Sequence, residues 1–336
     1  MSLMREETLE APEAVARGLA RTADFARVAA KLRRLDPSVA VLCARGSSAH
    51  AGMFLEYLLA RHVGVVPAEA MPSLASLYAA RQRFKGAAFL AISQSGRSPD
   101  LLAQTELARR EGAFCVAIVN DAASPLAAAC DEVIDIGAGP ERSVAATKTV
   151  LATLASGMAL IDAWAGRTDP ALARLPERLA AAARLDWSAL ADCLAATQRI
   201  FTLGRGPALG LAAEAALKLA ETAGVVGLGF STAEVAHGPM ALAGPDFPAF
   251  AFLQNDPTLP SSRALLEGFV ARGVPVFAAG PAVAGATALP TLPPDAPEPD
   301  LLGQLLCFYL AVEEATRRRG RDPDRPPALH KVTRTL

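Results

Sequence analysis

The sequence predicts an α/β protein made of two tandem repeats, each a parallel β-sheet flanked by helices. Its 336 residues are enough for about two domains. Apolar, strand-like runs alternate with helix-like runs, a pattern typical of a parallel sheet that is covered on both faces. The pattern restarts at an offset of about 160 residues, which indicates a tandem duplication of one α/β unit.

The N-terminal region is predicted to be helical. Residues 5–35 have amphipathic periodicity, with Leu9, Val15, Leu19 and Phe25 on the apolar faces. We therefore expect short helices before the first strand.

The first repeat contains apolar runs that are predicted to be buried strands, separated by helices. The strands are predicted at 39–44, 89–92, 114–119 and 132–136. The helices are predicted at 49–62, 100–111 and 147–164. The first three of these strand runs are apolar throughout, as expected for strands with helices on both sides.

The second repeat follows the same order. The run 199–206 resembles 41–48, since each joins an apolar strand to a Gly/Arg turn and an Ala-rich helix. Likewise, 249–253 mirrors 87–92, and 274–279 mirrors 114–119. A linker is predicted around 166–185, and the Pro-rich stretch 281–299 is predicted to be a surface loop with a short strand.

Composition excludes several classes of function. A net charge of −1 and only 5% aromatic residues disfavour a protein that binds nucleic acid or a membrane surface. No apolar run reaches the roughly 20 residues of a membrane helix, and the acidic N-terminus lacks a signal peptide's apolar core. The five cysteines have no disulfide or zinc spacing, so they are expected to be reduced core residues of a cytoplasmic protein.

No cofactor or metal is expected. The turn Gly204-Arg205-Gly206 does not match a dinucleotide fingerprint, because Gly210 stands one position late and no acidic residue ends a following strand. No His, Asp or Glu cluster has metal-ligand spacing. We therefore expect a metal-free reaction.

Two serine-containing turns follow predicted strands and precede predicted helices. They are Gly46-Ser47-Ser48 and Ser93-Gln94-Ser95-Gly96-Arg97-Ser98. In a parallel sheet both would lie at the carboxyl ends of the strands, where backbone N–H groups and helix dipoles favour an anion. The simpler interpretation is that the serines only cap helices. Two such turns in one unit favour a phosphate site.

Two further motifs carry acid–base groups. Glu214, Lys218 and Glu221 share one face of a very apolar helix, so a carboxylate there could act as a general base; a surface ion pair is the alternative. His237-Gly238-Pro239 forms a turn that could present the imidazole, although a lone histidine is more often structural. The segment 139–148 could simply be a loop leading into a helix.

Together these motifs resemble the sugar isomerase (SIS) superfamily, specifically the double-SIS isomerase module of glucosamine-6-phosphate synthase and its stand-alone relatives. The matching motifs are Gly46–Ser48, Ser93–Gly96, Val144–Lys148, Glu214–Glu221, His237–Pro239 and the tail Leu329–Thr333. The resemblance implies two tandem SIS domains with flavodoxin-like, three-layer α/β/α folds. The expected boundaries are 1–28 for an N-terminal helical segment, 29–170 and 186–326 for the SIS domains, and 327–336 for a tail over the active site.

The resemblance also implies roles for individual residues. Glu221 would move a proton between C1 and C2 of the sugar, and His237 would assist ring opening from the partner subunit of a homodimer. Lys331 would face the sugar carbonyl, and Lys218 would stabilise an enolamine oxygen. The residues that would bind the sugar phosphate are Gly46, Ser47, Ser48, Ser93, Gln94, Ser95, Ser98, Val144 and Ala146, the last standing where the synthases often have Ser.

The function implied is that of an amino-sugar phosphate deaminase. Synthases of this family carry a glutaminase domain with an N-terminal Cys ahead of the isomerase module, and no such Cys precedes the first helices here. The expected reaction converts glucosamine 6-phosphate and water to fructose 6-phosphate and ammonia. The alternatives are another substrate (galactosamine 6-phosphate or a fructosamine phosphate), isomerisation without deamination, or a non-catalytic phosphosugar sensor.

Overall fold

The computed structural model describes residues 1–329 and Lys331. The chain forms two compact units, each with its own parallel, five-stranded sheet. The first-repeat unit comprises Glu13–Glu141, Lys148–Ala173 and Lys331. The second-repeat unit comprises Met1–Pro12, Arg142–Thr147 and Arg174–Leu329.

The first half of the chain begins with three short helices and continues as alternating strands and helices. The helices are α1 (Leu3–Leu9), α2 (Ala11–Leu19), α3 (Thr22–Leu35), α4 (Ser47–Leu58), α5 (Pro72–Ser76), α6 (Pro99–Arg110), α7 (Pro125–Ala129) and α8 (Lys148–Ala165). The strands are β1 (Val39–Cys43), β2 (Val66–Glu69), β3 (Ala88–Ser93), β4 (Phe114–Val119) and β5 (Glu132–Asp135).

The second half repeats this alternation. Its helices are α9 (Pro170–Ala182), α10 (Ser188–Ala196), α11 (Ala208–Lys218), α12 (Leu259–Ala271) and α13 (Pro297–Arg318). Its strands are β6 (Arg199–Gly204), β7 (Val226–Ser231), β8 (Ala249–Phe252), β9 (Val276–Ala279) and β10 (Thr287–Leu289).

The two sheets have the same strand order. The first is β2-β1-β3-β4-β5 and the second, read from its other edge, is β7-β6-β8-β9-β10. This is the order of flavodoxin-like doubly wound folds, and all strand pairs are parallel. The predicted fold of two tandem α/β units is thus confirmed.

The central strands are buried because helices cover both faces of each sheet. All six residues of β3 and all four of β8 are buried. In the second unit the core is aromatic, with Phe250 stacked on Phe308 at 5.5 Å between ring centroids. Burial of such apolar surface is the main favourable term for folding.

Equivalent residues of the two repeats are separated by a constant offset of 160 positions. Val41 pairs with Phe89 in the first sheet, and Phe201 pairs with Ala249 in the second, so each partner is displaced by 160 positions. A π-helical turn ends the helix after β1 at Leu59–Val63, and a matching one ends the helix after β6 at Leu219–Ala223. Each π-turn stops at a glycine of positive φ, Gly64 or Gly224.

Sequence patterns missed one edge strand of each sheet, β2 and β7, and predicted the opposite edge strands, β5 and β10. The four residues of β2 are exposed or half-buried and include Pro67, so they lack the apolar run of a buried strand. In β7, a Cβ at Gly227 would lie 2.6 Å from the Cα of Ala216, so the close approach of α11 requires a small residue there. Neither strand therefore resembles the apolar strands in composition.

Two smaller expectations differ from the structure, and one short helix lies where none was predicted. Leu9, placed on an apolar face by periodicity, is 39% exposed at the end of α1. The predicted linker 166–185 holds a helix, α9, and a second short helix, α5, follows β2. Of the tail motif, His330, Val332 and Thr333 lie outside the described residues. The short strand expected within 281–299 is β10.

No helix in the described part of the chain is both long enough and apolar enough to span a bilayer.

Candidate active site

The two serine turns lie at one edge of the first sheet. β1 and β3 are neighbours, so the turns that follow Cys43 and Ser93 leave the same, carboxyl edge. The first turn leads into α4, whose N-cap is Gly46 at φ 54°. The second leads into α6, whose N-cap is Ser98. Two helix N-termini therefore begin at these turns, the arrangement that favours an anion.

The second turn is held open by its own hydrogen bonds. The Ser93 hydroxyl accepts from the Gly96 N–H at 3.1 Å, and the Ser95 hydroxyl accepts from the Arg97 N–H at 3.4 Å. Ser98 makes no side-chain capping bond to its own helix. Because Ser98 does not cap α6 in this way, the structure does not support the simple capping interpretation for this serine.

Gly96 is required by this turn. Its φ is 60°, a left-handed conformation that side chains disfavour. A Cβ there would also lie 2.1 Å from the hydroxyl oxygen of Ser124, which is fully buried. The turn can thus keep this shape only with glycine at position 96.

A buried carboxylate joins the two turns. Asp100 is fully buried and accepts from the Arg45 guanidinium at 2.9 Å. Since Arg45 precedes Gly46 and Asp100 follows Ser98, this ion pair positions the start of α4 against the start of α6. The sequence analysis did not single out either residue, because an Arg beside a glycine turn carries no distinctive pattern.

The equivalent turn in the second repeat is closed. By strand register Gln254 corresponds to Gln94, Asp256 to Gly96 and Thr258 to Ser98. The Gln254 amide donates to the Arg205 carbonyl at 2.9 Å, and Asp256 accepts from the Thr258 N–H at 2.8 Å. A carboxylate thus stands where the first repeat has a glycine, and it disfavours an anion. Of these two turns, both within the described residues, that of the first repeat is the one without such a carboxylate.

The acid–base groups lie together in the second-repeat unit. The Lys218 ammonium is 3.4 Å from a Glu214 carboxylate oxygen and 2.5 Å from one of Glu221. Lys218 and Glu214 are 1% exposed at the side chain, and Glu221 is 20% exposed. Tyr309 of α13 donates its hydroxyl to Glu214 at 3.0 Å. We call Glu214, Lys218 and Glu221 the acid–base triad.

The π-turn brings Glu221 beside Lys218. Glu214 and Lys218 are one α-helical turn apart on α11, and Glu221 lies in the π-turn that follows. Single π-turns inside helices are frequent at functional sites because they change the direction of the side chains. The matching positions of the first repeat, Phe54, Leu58 and Arg61, cannot form such a cluster.

The triad keeps the lysine charged. Burial alone would lower the pKa of Lys218, but the carboxylates of Glu214 and Glu221 outweigh burial, and the net pKa is raised. An ammonium buried this deeply is tolerated only when it is paired and hydrogen-bonded. Lys218 is thus a permanent positive charge beside the half-accessible carboxylate of Glu221.

His237 is separate from the triad. It ends a short 3₁₀ turn, Glu234–His237, after the edge strand β7, and its side chain is exposed. Gly238 follows at φ 138°, which a side chain at that position would rarely adopt. An exposed imidazole on an edge is accessible to a partner molecule.

Lys331 lies beside a buried carboxylate in the first-repeat unit. Its ammonium is 3.3 Å from Glu141, which also accepts from the Thr149 hydroxyl at 2.6 Å and from the Thr149 N–H at 3.2 Å. The Glu141 side chain is fully buried. Glu141 has no distinctive sequence pattern beyond its position in the segment 139–148, so its role was not predicted.

Val144 and Ala146 lie in the segment 142–147 of the second-repeat unit, and both are half-buried. Glu7 holds the backbone of this segment by accepting from the N–H groups of Arg142, at 2.5 Å, and Ser143, at 3.0 Å. Glu7 is thus, after Asp100 and Glu141, a third buried carboxylate that sequence patterns did not reveal.

The five cysteines are free, and burial raises their pKa values above that of an exposed thiol, to about 12 for Cys43. Within residues 1–329 and Lys331, no group of three or more His, Cys, Asp and Glu side chains could hold a metal ion.

Comparison with known proteins matches most of this chain to a single family. The model of the SIS domain family matches residues 36–163 and 194–279. The isomerizing glutamine–fructose-6-phosphate aminotransferase of Thermotoga maritima is 30% identical over 319 residues, which cover 89% of this chain and 52% of the relative. The chain thus spans about half the length of the curated relatives that it matches.

Two solved structures have the same fold over nearly the whole chain. One from Silicibacter pomeroyi DSS-3, named provisionally as a phosphosugar isomerase, is 43% identical with a TM-score of 0.91, and covers 96% of this chain and 100% of its own. The C-terminal domain of glucosamine-fructose-6-phosphate aminotransferase from Francisella tularensis is 22% identical with a TM-score of 0.86, and covers 97% of this chain and 98% of its own. The second likeness concerns the fold alone.

Proposed function

The chain belongs to the SIS domain family, and on that premise we propose that it is an isomerase and deaminase of amino-sugar phosphates. The reaction converts glucosamine 6-phosphate and water to fructose 6-phosphate and ammonia. The observation that carries the proposal is the acid–base triad, a buried Lys218 held between Glu214 and Glu221 in one repeat only. A sensor would need only to bind the phosphosugar and would gain nothing from a buried ammonium beside a half-accessible carboxylate.

The phosphate binds at the serine turns of the first repeat. Backbone N–H groups at the start of α4 and the hydroxyls of Ser48, Ser95 and Ser98 donate to its oxygens, with Gln94 and Ser47 beside them. Hydrogen bonds to a charged group are about twice as strong as neutral ones. The closed turn of the second repeat leaves one phosphate site per chain.

The acid–base triad carries out the proton transfer. Glu221 removes the proton from C2 of the open-chain sugar, and the electron pair forms the C1–C2 double bond of an enolamine. The Lys218 ammonium stabilises the negative charge on O1, which then takes up a proton from water. Glu221 returns its proton to C1, giving the C2 imine of fructose 6-phosphate. Water adds to C2 and ammonia leaves.

Further residues complete the mechanism. His237 assists ring opening, and in the proposed homodimer it comes from the partner subunit, in keeping with its exposure beside the edge strand β7. Lys331 faces the sugar carbonyl, and Val144 and Ala146 contribute backbone contacts to the sugar. Glu141 holds the Lys331 ammonium at 3.3 Å before the substrate binds.

The test is release of ammonia and fructose 6-phosphate from glucosamine 6-phosphate, with galactosamine 6-phosphate as comparator. Equal rates of both products support the proposal. Turnover of the comparator alone keeps the mechanism but changes the substrate. Binding without ammonia release from either sugar would contradict the deaminase.

Glu221→Gln tests the role of the base. Proton transfer by a positioned group contributes about 10²–10⁴-fold, so turnover should fall at least about 100-fold while the sugar phosphate still binds. Glu177→Gln, an exposed glutamate on α9, is the matched control and should keep full activity. Near-normal turnover of Glu221→Gln would exclude it as the base.

A further inference from the structure

The second-repeat unit contains a cavity that none of the proposed catalytic residues lines. It lies at the carboxyl ends of β8, β9 and β10, between α9 and the first half of α13, and has a volume of about 530 Å³. Small-molecule sites in proteins have volumes of about 300–1,000 Å³ and often occur at this edge of a parallel sheet.

The wall of the cavity is largely apolar. Its side chains include Leu175, Leu179, Trp187, Leu253 and Leu292. The Trp187 indole N–H donates to the Pro290 carbonyl at 2.8 Å, so the ring is fixed and its remaining surface is apolar. An apolar molecule of matching shape would find a rigid wall here.

A buried amide lines this space. Gln304 is 5% exposed and lines the cavity. Its amide nitrogen donates to the Leu253 carbonyl at 2.8 Å, which orients the side chain, but its Oε1 has no hydrogen-bond partner. The hydrogen bond to Leu253 therefore fixes the Gln304 amide in the wall of the cavity.

The two arginines of the cavity differ in their charge balance. Arg178 is neutralised, since its guanidinium lies 2.7 Å from Asp300 and 3.9 Å from Asp295. Arg263 donates only its Nε–H, to the Ala282 carbonyl at 3.0 Å, and no carboxylate of residues 1–329 is within ion-pair distance of it. The cavity therefore carries one uncompensated positive charge.

We propose that this cavity binds a small amphipathic anion. The apolar body packs against Leu179, Trp187 and Leu253. The anionic group pairs with Arg263. The ligand class is an organic acid with an apolar ring or chain, rather than a sugar phosphate, whose many hydroxyls would find few partners on this wall.

The probe that tests this is 8-anilinonaphthalene-1-sulfonate, which combines a sulfonate, an aromatic body and an N–H donor. We expect saturable binding of one molecule per chain, with a rise in fluorescence and unchanged near-UV circular dichroism. N-phenyl-1-naphthylamine, which has the same body and N–H but no sulfonate, should bind about tenfold more weakly, because it lacks the charge-assisted contact.

Two variants locate the site. Arg263→Gln should weaken binding of the sulfonate about tenfold and leave binding of the uncharged amine unchanged. Its matched control is Arg272→Gln, an exposed arginine at the end of the same helix that does not line the cavity. Gly303→Leu should abolish binding, since a Cβ there meets only Ala182, at 3.6 Å, and the longer side chain would fill the cavity.

The proposal would be overturned if the sulfonate bound equally well to Arg263→Gln and to Gly303→Leu, or if it did not bind to the native protein. None of these measurements uses turnover, so their outcome is independent of the proposed deaminase.

Discussion

At the scale of single residues, the buried charged groups described above have ion-pair or hydrogen-bond partners. Lys218 has two carboxylates beside it, and Glu141 accepts hydrogen bonds from Thr149 as well as from Lys331. Isolated buried charges are strongly unfavourable, so each such pairing indicates a position where function or folding specificity requires the charge.

Lys218→Met tests the stabilising role of the triad. Loss of one partner of a buried ion cluster typically costs about 3–5 kcal/mol, because it leaves Glu214 and Glu221 close together without a counter-charge. Urea unfolding should report a loss of that size. The double variant with Glu214→Gln should recover part of it, since one carboxylate is then removed. A single variant as stable as the native protein would contradict the assigned pairing.

The raised pKa of Lys218 also has a consequence for pH. A lysine whose pKa is higher in the folded than in the unfolded state contributes stability that is complete below its unfolded pKa of about 10.5 and is lost as pH rises through the folded value. Titration of Lys218 should therefore not affect stability or turnover between pH 6 and 9.

At the scale of elements, turns and edge strands hold the features that vary between the repeats. The serine turn needs Gly96 for both its positive φ and its close approach to Ser124. The edge strand β2 carries Glu69 close to Glu56 of α4, and burial together with the Glu69 charge raises the pKa of Glu56 to about 7.

Gly96→Ala should displace the serine turn. The positive φ costs about 1–2 kcal/mol, and the clash with Ser124 adds to it, so the KM for the sugar phosphate should rise about tenfold or more. Gly86→Ala is the control, since Gly86 has φ 79° but open space around its Cβ position. It should lose about 1–2 kcal/mol of stability with an unchanged KM. Equal KM values for both variants would place the substrate elsewhere.

Glu56→Gln tests the pH dependence of the first-repeat unit. Because folding raises the pKa of this carboxyl from 4.5 to about 7, the native state loses stability as pH rises through that interval. The variant should therefore melt higher than the native protein at pH 8, by about 2 °C after allowance for solvent screening, and equally at pH 4. Differential scanning calorimetry at both pH values checks this. A variant that melts lower at pH 8 would contradict the raised pKa.

At the scale of the whole molecule, the two repeats have the same strand order but carry different side chains at equivalent positions. The first repeat has an open serine turn but Phe54, Leu58 and Arg61 at the positions of the triad. The second has the triad but a turn closed by Asp256. This division of groups fits the proposal of one reaction per chain rather than two.

Ser98→Ala and Thr258→Ala test this division, because the two residues are the N-caps of the equivalent helices α6 and α12. Loss of the Ser98 hydroxyl should raise the Kd for glucosamine 6-phosphate about tenfold, the effect of one hydrogen bond to a charged group. Thr258 already donates to Asp256 at 2.5 Å, so its replacement should leave the Kd unchanged. Isothermal titration calorimetry measures both, and equal effects would mean that the repeats share the phosphate.

The sequence by itself determined the repeat and its central strands. The runs that became β1, β4 and β8 are continuously apolar, and those of β3 and β6 are largely so, because helices cover them on both faces. This pattern is visible without coordinates. The serine turns and the Glu214–Lys218 spacing are also local, since a strand end or a helical turn decides where such side chains point.

Only the tertiary structure decided what depends on distant partners. The edge strands β2 and β7 form because each pairs with a neighbouring strand, β1 or β6, and not because their own residues favour an extended conformation. The Tyr309 hydroxyl donates to Glu214, which lies 95 residues away along the chain. The Arg142 N–H donates to Glu7, which lies 135 residues away, and no local sequence pattern predicts either hydrogen bond. Hydrogen bonds and close packing act over a few ångströms in space whatever the separation along the chain, so these parts of the site became visible only once the chain was folded.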